Sequence, residues 1–172
     1  MKAVVLAAGG MEWNEEMCEQ FLRGPVEGVA SPPYNEGDGI EMGMAAGAKL
    51  GNMNEAWWIP TGRVTGESWE DGTPMYRPLW GERSVPHCLM VNEDGERFGN
   101  ESGNYNDLGK RFHEFDPANY DYENVPAYMI LDQNYRDTYS IMNLTPTDPD
   151  PEWLVSAESL AALAEKFEVD PA

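Results

Sequence analysis

Basic residues are scarce in this 172-residue chain: 11 Lys and Arg stand against 31 Asp and Glu, a formal charge of −20 at pH 7. Phosphate binding needs clustered cations, so the imbalance argues against nucleic acid and anionic membranes as partners. The acid is spread along the chain rather than gathered in a tail, which is the pattern of a solvated surface. Cysteine is nearly missing. Cys18 and Cys88 make neither a CxxC pair nor a disulfide framework, and a reducing, cytoplasmic setting is expected. The two histidines, His87 and His113, offer no ligand spacing, so no metal is expected. Long apolar runs are lacking too. The one near the start, Ala3 to Ala8, is six residues long, too short for a secretory core or a membrane span. No signal peptide and no integral membrane segment are therefore expected.

What is present suits a folded chain. The length allows one domain that buries about 70% of its unfolded surface. Ala3 to Ala8 reads as a fully buried strand, and Gly9-Gly10 lets the backbone turn tightly or approach a ligand. Asn14 caps a short helix with Met17 and Phe21 on one face, ended by Gly24-Pro25. A second helix begins at Asp38, paired with Glu41 as a capping box in the wider sense, and turns Ile40, Met44, Gly47 and Ala48 inward. Residues 61–80, with Gly62, Gly66, Gly72, Pro74 and Pro78, read as a long irregular connection. Ala127 to Leu131 is a strand and Asp132 starts a short helix. After the breaker segment Pro146 to Pro151, Ser156 caps an amphipathic helix carrying Leu160, Leu163, Ala164 and Phe167 on one face.

Between Trp80 and Phe112 the chain is chemically denser. Cys88 to Val91 reads as a strand that turns at Asp94-Gly95 into Glu96-Arg97-Phe98, because Asp-Gly tolerates the positive φ of a tight hairpin. Asn100-Glu101-Ser102 and Tyr105 follow within a few residues. They are either a proton-transfer segment facing a pocket or a polar loop that satisfies its own backbone while Tyr105 packs on the sheet. Arg97 reads as a salt-bridge partner within the hairpin. A helical run from Asp107 to Phe112 comes next, and His113 at its end suits the helix dipole. Trp57, Trp58 and Ile59 suggest an apolar pocket wall for a flat ring system or bulky ketone, with one tryptophan in the core.

The segment Val91-Asn-x-x-Gly-x-Arg-Phe-x-Asn-Glu101 resembles the signature of the flavoproteins that include fumarate reductases, succinate dehydrogenase flavoprotein subunits and 3-ketosteroid 1-dehydrogenases. Asn-Glu-Ser-x-x-Tyr105 looks most like the steroid dehydrogenase branch. AVVLAAGGMEWN is similar to the strand and loop that lie against FAD in that family, with Ala8 where threonine is usual. Gly37-Asp38-Gly-x-x-Met followed by Ala-Gly-Ala looks like the motif whose aspartate contacts the cofactor. Ile59 stands where the fumarate and succinate branch places a substrate-binding histidine, so a dicarboxylate lacks its cationic donor here.

The resemblance implies an α+β chain: one edge of an α/β FAD-binding domain, residues 1–52, joined to a mixed α+β substrate or capping domain, residues 53–172. Both are expected to be incomplete, because the pyrophosphate-gripping GxGxxG has no counterpart and Gly9-Gly10 lacks its spacing. The chain is thus expected to be an internal piece of a larger flavoprotein and inactive alone. The resemblance further implies FAD as cofactor, touched by Ala8, Gly9, Gly10, Gly37 and Asp38. Tyr105 and Glu101 are the implied acid/base residues, with Trp57, Trp58 and Ile59 beside a small hydrophobic substrate such as a 3-ketosteroid and an electron acceptor left unnamed. The other reading is a non-catalytic ligand-binding or interaction domain.

Overall fold

The computed structural model describes residues 3–167. The chain forms two compact units, one comprising residues up to Trp57 together with Gly66–Tyr76, the other Trp58–Thr65 together with the chain from Arg77 onward. Helices and strands are mixed, and the strands make three two-stranded sheets among the described residues.

In the first unit, helix α1 spans Glu15–Phe21 and is capped as its sequence predicts, with the Asn14 side chain accepting the Met17 amide at 3.0 Å. Met17 is its buried residue. Helix α2 spans Asp38–Ala45 and corrects two expectations. Its cap is Gly37, in the left-handed region at φ 93°, with no side-chain bond, so the Asp38 carboxylate does not cap. No residue of α2 is buried: Met44 is exposed instead of facing inward, as are Gly47 and Ala48 just beyond the helix, and Ile40 is only half-buried. Ala3 to Ala8 forms no strand, and Val5 is 88% exposed. A strand is a property of a pair, and no described residue supplies this run with a ladder partner.

Residues 61–80 are more regular than expected. Strand β1, Thr61–Ser68, pairs with β2, Pro74–Pro78. The turn between them is built on Asp71-Gly72: Gly72 has φ 89°, the Asp71 side chain accepts the Thr73 amide at 2.9 Å, and Trp69 bonds back to Thr73 at 2.8 Å. The division between the units crosses this hairpin.

The second unit is organised on β3, Cys88–Val91, paired antiparallel with β6, Tyr128–Leu131. Met90, Phe98 and Leu108 form one buried cluster and Tyr135, Ile141 and Leu144 another, with Met129 packed against both. Helix α3 spans Tyr105–Arg111 behind an Asn104 cap, so Tyr105 opens it instead of preceding it. Two short strands, β4 (Phe115–Asp116) and β5 (Asp121–Tyr122), pair beyond it. Helix α4, Gln133–Thr138, starts at the expected Asp132, whose side chain accepts the Tyr135 amide at 3.0 Å. Helix α5, Leu160–Phe167, begins later than expected. Its first turn is held by Ser159, not Ser156, through the Ala162 amide at 3.2 Å. Leu160 is 73% exposed, while Phe167 packs on the Tyr128 ring at 4.8 Å.

The expected hairpin after β3 exists only as a turn. Asn92 and Glu96 bond through their backbones at 3.0 Å, Gly95 takes φ 75°, and the Asn92 side chain accepts the amides of Asp94 and Glu96. Beyond that, Glu96 to Phe98 forms no strand. A side chain has taken its place on the β3 edge: the Met90 amide donates to Glu101 Oε1 at 2.9 Å.

Candidate functional site

The residues expected at the site fall into a group in the first unit, which includes Trp57, and a group in the second. In the first, the backbone brings Gly10 to Gly37, whose amide donates to the Gly10 carbonyl at 2.9 Å. Ala8 lies against Gly39, where an added Cβ would sit 3.8 Å from the Ala8 Cβ. Gly9 has φ 85°, and a Cβ there would collide with the Asn35 amide. Gly37 leaves no room either, because a Cβ would meet Met17 Sδ at 2.5 Å. Beneath the two glycines, Glu12 accepts hydrogen bonds from Ser31 and Asn35, each at 2.6 Å. Burial pushes the Glu12 carboxyl up, but these two bonds outweigh it and hold it below the ordinary carboxylate range. Glu12 is a fixed anion, and as one acid among many in an acidic chain it carries no signal of its own in the sequence.

The sequence-expected cofactor residues Ala8, Gly9, Gly10, Gly37 and Asp38 therefore converge on the start of α2. No side chain caps that helix start, and among the described residues no hydrogen bond engages the exposed Asp38 carboxylate. Free helix-start amides beside an unengaged carboxylate form a donor and acceptor set matched to the polar groups of a nucleotide cofactor. The residues present fit FAD.

In the second unit, Glu101 is buried, 4% exposed, and fully engaged. Its carboxylate accepts from the Met90 amide and from Arg97, whose Nε lies 2.9 Å away and whose Nη2 also donates to it. Burial alone would raise its pKa. The Arg97 and Met90 bonds prevail, and the carboxyl sits below the ordinary range. Arg97 itself points into solvent, as the structural salt-bridge partner that its position suggested. Four residues on, Tyr105 opens α3, half-buried, its ring edge-on to Trp80 at 5.3 Å between centroids.

Of the three residues expected to line a pocket, Trp58 is the core tryptophan. It is 9% exposed, its amide donates to the Asn106 side chain at 2.9 Å, and its ring meets His113 edge-on at 4.4 Å. Trp57 is 73% exposed and Ile59 half-buried. Asn106, Trp80 and Arg83 also shape this region. None announced itself in the sequence, because a lone polar or aromatic residue in an irregular stretch has no spacing signal. Among the described residues no group of His, Cys, Asp and Glu side chains is placed to hold a metal, and no helix is long and apolar enough to cross a membrane.

Comparison with known proteins places the chain in a family. The profile of a family described as an FAD binding domain matches residues 1–169. The chain is 40% identical over 98% of its length to a 4-oxocyclohexanecarboxylate 2-dehydrogenase of Sinomonas cyclohexanicum, covering 29% of that protein. It is 36% identical over 96% of its length to a 3-oxosteroid 1-dehydrogenase of Mycobacterium tuberculosis, covering 30% of it. The crystal structure of a 3-ketosteroid Δ1-dehydrogenase from Sterolibacterium denitrificans, in complex with 1,4-androstadiene-3,17-dione, superposes with a TM-score of 0.83 at 35% identity. That match covers 99% of this chain and 31% of the other. The chain thus spans under a third of the length of these relatives.

Proposed function

The chain belongs to the FAD binding domain family, and on that premise we propose that it serves an FAD-dependent dehydrogenase that desaturates a carbon–carbon bond beside a ketone in a hydrophobic ring. In the names of the relatives above, the numbered position lies two carbons from the oxo carbon in both a cyclohexane and a steroid. The shared chemistry is removal of one hydrogen from the carbon next to a ring carbonyl and one from the carbon beyond it, which leaves a conjugated enone. FAD, when bound, supplies the hydride acceptor.

Residues 1–52 form the cofactor side and 53–172 the substrate side of this reading. Asp38 and the Ala8–Gly10 loop hold polar groups of the cofactor, and the half-buried Ile59, next to the core residue Trp58, offers apolar surface to the ring. Tyr105 exchanges the proton of the carbon next to the carbonyl, which the carbonyl acidifies. Glu101 contributes as a fixed carboxylate: it is ionised, buried and pinned to β3, so it sets the path of the loop that delivers Tyr105.

The observation that supports this most is the placement of Tyr105 at the first turn of α3, its ring held against Trp80. A phenol so placed keeps a fixed attitude, which proton transfer to carbon requires. The test is an assay of this chain joined to the flavoprotein segments that complete the FAD site and loaded with flavin, on 3-oxosteroids and on 4-oxocyclohexanecarboxylate with an artificial electron acceptor. Formation of a conjugated enone supports the proposal. Tight ketone binding with no turnover would favour the non-catalytic binding reading instead.

A further inference from the structure

Among the described residues, Arg83 is one of two buried cations of the second unit, the other being Arg136, that no step above uses. It lies in a short 3-10 helix, Glu82–Ser84, and is 4% exposed. Its three hydrogen-bond acceptors are backbone carbonyls. Nε donates to Leu79 at 3.0 Å, and Nη1 donates to both Glu101 and Gly103, the latter at 3.1 Å. A buried guanidinium is costly unless its donors are matched. Here burial lowers its pKa while Glu82 favours the charged form.

The identity of the three acceptors matters. Leu79 immediately precedes Trp80, whereas Glu101 and Gly103 belong to the loop that ends at the Asn104 cap and Tyr105. Trp80 and Tyr105 are the two rings in edge-on contact. One guanidinium therefore ties together the two backbone segments that carry the edge-on pair. A further bond, from Ser102 Oγ to the Ser84 carbonyl at 3.3 Å, joins the same segments. The 3-10 helix is braced from the core side. The fully buried Tyr135 donates its hydroxyl to the Glu82 carbonyl at 2.9 Å, and Cys88 Sγ points at the carbonyls of Glu82, Arg83 and Val85. The clamp is thus anchored to the core at one end and open to the loop at the other.

We infer that Arg83 is a positioning residue, which sets the Trp80–Tyr105 pair by fixing the carbonyls on both sides of it. The functional consequence rests on the reading of Tyr105 as the proton-exchanging group, whereas the positional one does not. A lysine keeps the charge but cannot reach three carbonyls with one planar fork, and a glutamine keeps donors but loses both reach and charge.

The test uses 5-fluorotryptophan-labelled protein, whose six tryptophans give separate fluorine resonances. The Trp80 signal is assigned by its loss in Trp80→Phe, and its shift without the neighbouring ring is fixed by Tyr105→Leu. In Arg83→Gln the Trp80 signal is expected to move to its Tyr105→Leu position while the other five stay, and in Arg83→Lys to move part way. Turnover of the flavin-loaded protein on a ring ketone should fall with it, on the order of 10²-fold in kcat for an ångström-scale misplacement, with KM little changed. A Trp80 signal that does not move in folded Arg83→Gln overturns the clamp. A moved signal with full turnover upholds the clamp and sinks the proton role of Tyr105. Should both variants fail to fold, the guanidinium protons of unmutated Arg83 decide: resolved, slowly exchanging Nη signals uphold it, and a single averaged signal refutes it.

Discussion

Glu101 Oε1 accepts the Met90 amide at 2.9 Å, on the edge of β3 where the second strand of a hairpin would otherwise pair. A single carboxylate thus replaces a ladder and frees the chain to turn away toward Tyr105. Replacing Glu101 with alanine leaves that amide buried without an acceptor, and an orphaned buried donor costs about 1–3 kcal/mol. Arg97 returns to water and adds little to the loss. Glu101→Gln keeps an acceptor oxygen and should lose about half as much. Urea denaturation of the three proteins checks the order wild type, Gln, Ala. A glutamine variant that is as stable as wild type yet catalytically dead would make Glu101 a proton carrier instead of a support.

The same carboxylate predicts how stability depends on pH. Glu101 and Glu12 both have folded-state pKa values below their ordinary values, where hydrogen bonds overcome the opposing effect of burial. Both bind a proton more weakly when folded, so the stability they contribute is fully present above the unfolded carboxylate pKa. It is lost as pH falls through the lower, folded value. Unfolding free energy should therefore fall on the acid side of the ordinary carboxylate range. Glu101→Gln should flatten that fall, and an acid limb identical to wild type would show that the bonds to Arg97 and Met90 are not kept in solution.

Gly109 separates helix propensity from packing. Within a helix, alanine is favoured over glycine by about 1 kcal/mol. At this position a Cβ would meet the Trp58 Cβ at 2.7 Å and the Trp58 carbonyl carbon at 3.0 Å, and backbone cannot give way as a flexible side chain can. Overpacking of this kind costs about 1–3 kcal/mol. The clash should win, so Gly109→Ala is expected to lower the urea midpoint. A raised midpoint would mean that Trp58 does not sit against α3.

Cys18 and Cys88 are both free, and burial raises both thiol pKa values, with Glu12 and Glu101 respectively adding to the effect. The thiolate is the reactive form. Iodoacetamide at mildly alkaline pH should therefore label the folded chain much more slowly than the urea-unfolded chain. Equal rates would contradict the burial of these two sites.

The features legible in the sequence were those settled locally. Asn14 and Asp132 cap their helices because a cap is decided within four residues, and Asp94-Gly95 makes its turn for the same reason. The residues expected to touch the cofactor, Ala8 to Gly10 and Gly37 to Asp38, lie near one another. What failed was non-local. Ala3 to Ala8 is strand-like in composition yet has no ladder partner among the described residues, and Glu96 to Phe98 lost its pairing to the side chain of Glu101. The β1–β2 hairpin was missed because the glycines and prolines around it hid the Asp71-Gly72 turn, itself the same signal that was read correctly at Asp94-Gly95. Asp38 was given a cap that Gly37 holds, which leaves its carboxylate available.

That last difference sharpens the test of Asp38. Were it the cap of α2, its loss would cost about 1 kcal/mol in folding and would confound any effect on cofactor. Gly37 holds the cap, and the Asp38 side chain makes no bond within the described chain, so Asp38→Ala should leave the unfolding midpoint nearly unchanged. If the carboxylate binds FAD, flavin retained through gel filtration by the protein completed with the remaining FAD-site segments should fall severalfold in Asp38→Ala and stay low in Asp38→Ser, because a hydroxyl is not an anion. Full flavin content in both variants would remove Asp38 from the cofactor site and leave the helix-start amides and the Gly9-Gly10 loop as its contacts on this chain.

Tyr105→Phe asks the remaining question. The substitution keeps the ring, and with it the edge-on contact with Trp80, while removing the ionisable hydroxyl. A phenol that exchanges the substrate proton contributes on the order of 10²- to 10⁴-fold. The flavin-loaded Tyr105→Phe protein should lose at least 10²-fold in kcat on a ring ketone, with flavin content and KM near wild type. Exchange of the substrate hydrogen next to the carbonyl into deuterated water, followed by NMR with the cofactor kept oxidised and no acceptor added, isolates the proton step. That exchange should disappear with the hydroxyl. If kcat falls while exchange continues at the wild-type rate, another group takes the proton and Tyr105 serves only as the ring against Trp80. Because both proteins retain that ring, a packing defect cannot produce the difference.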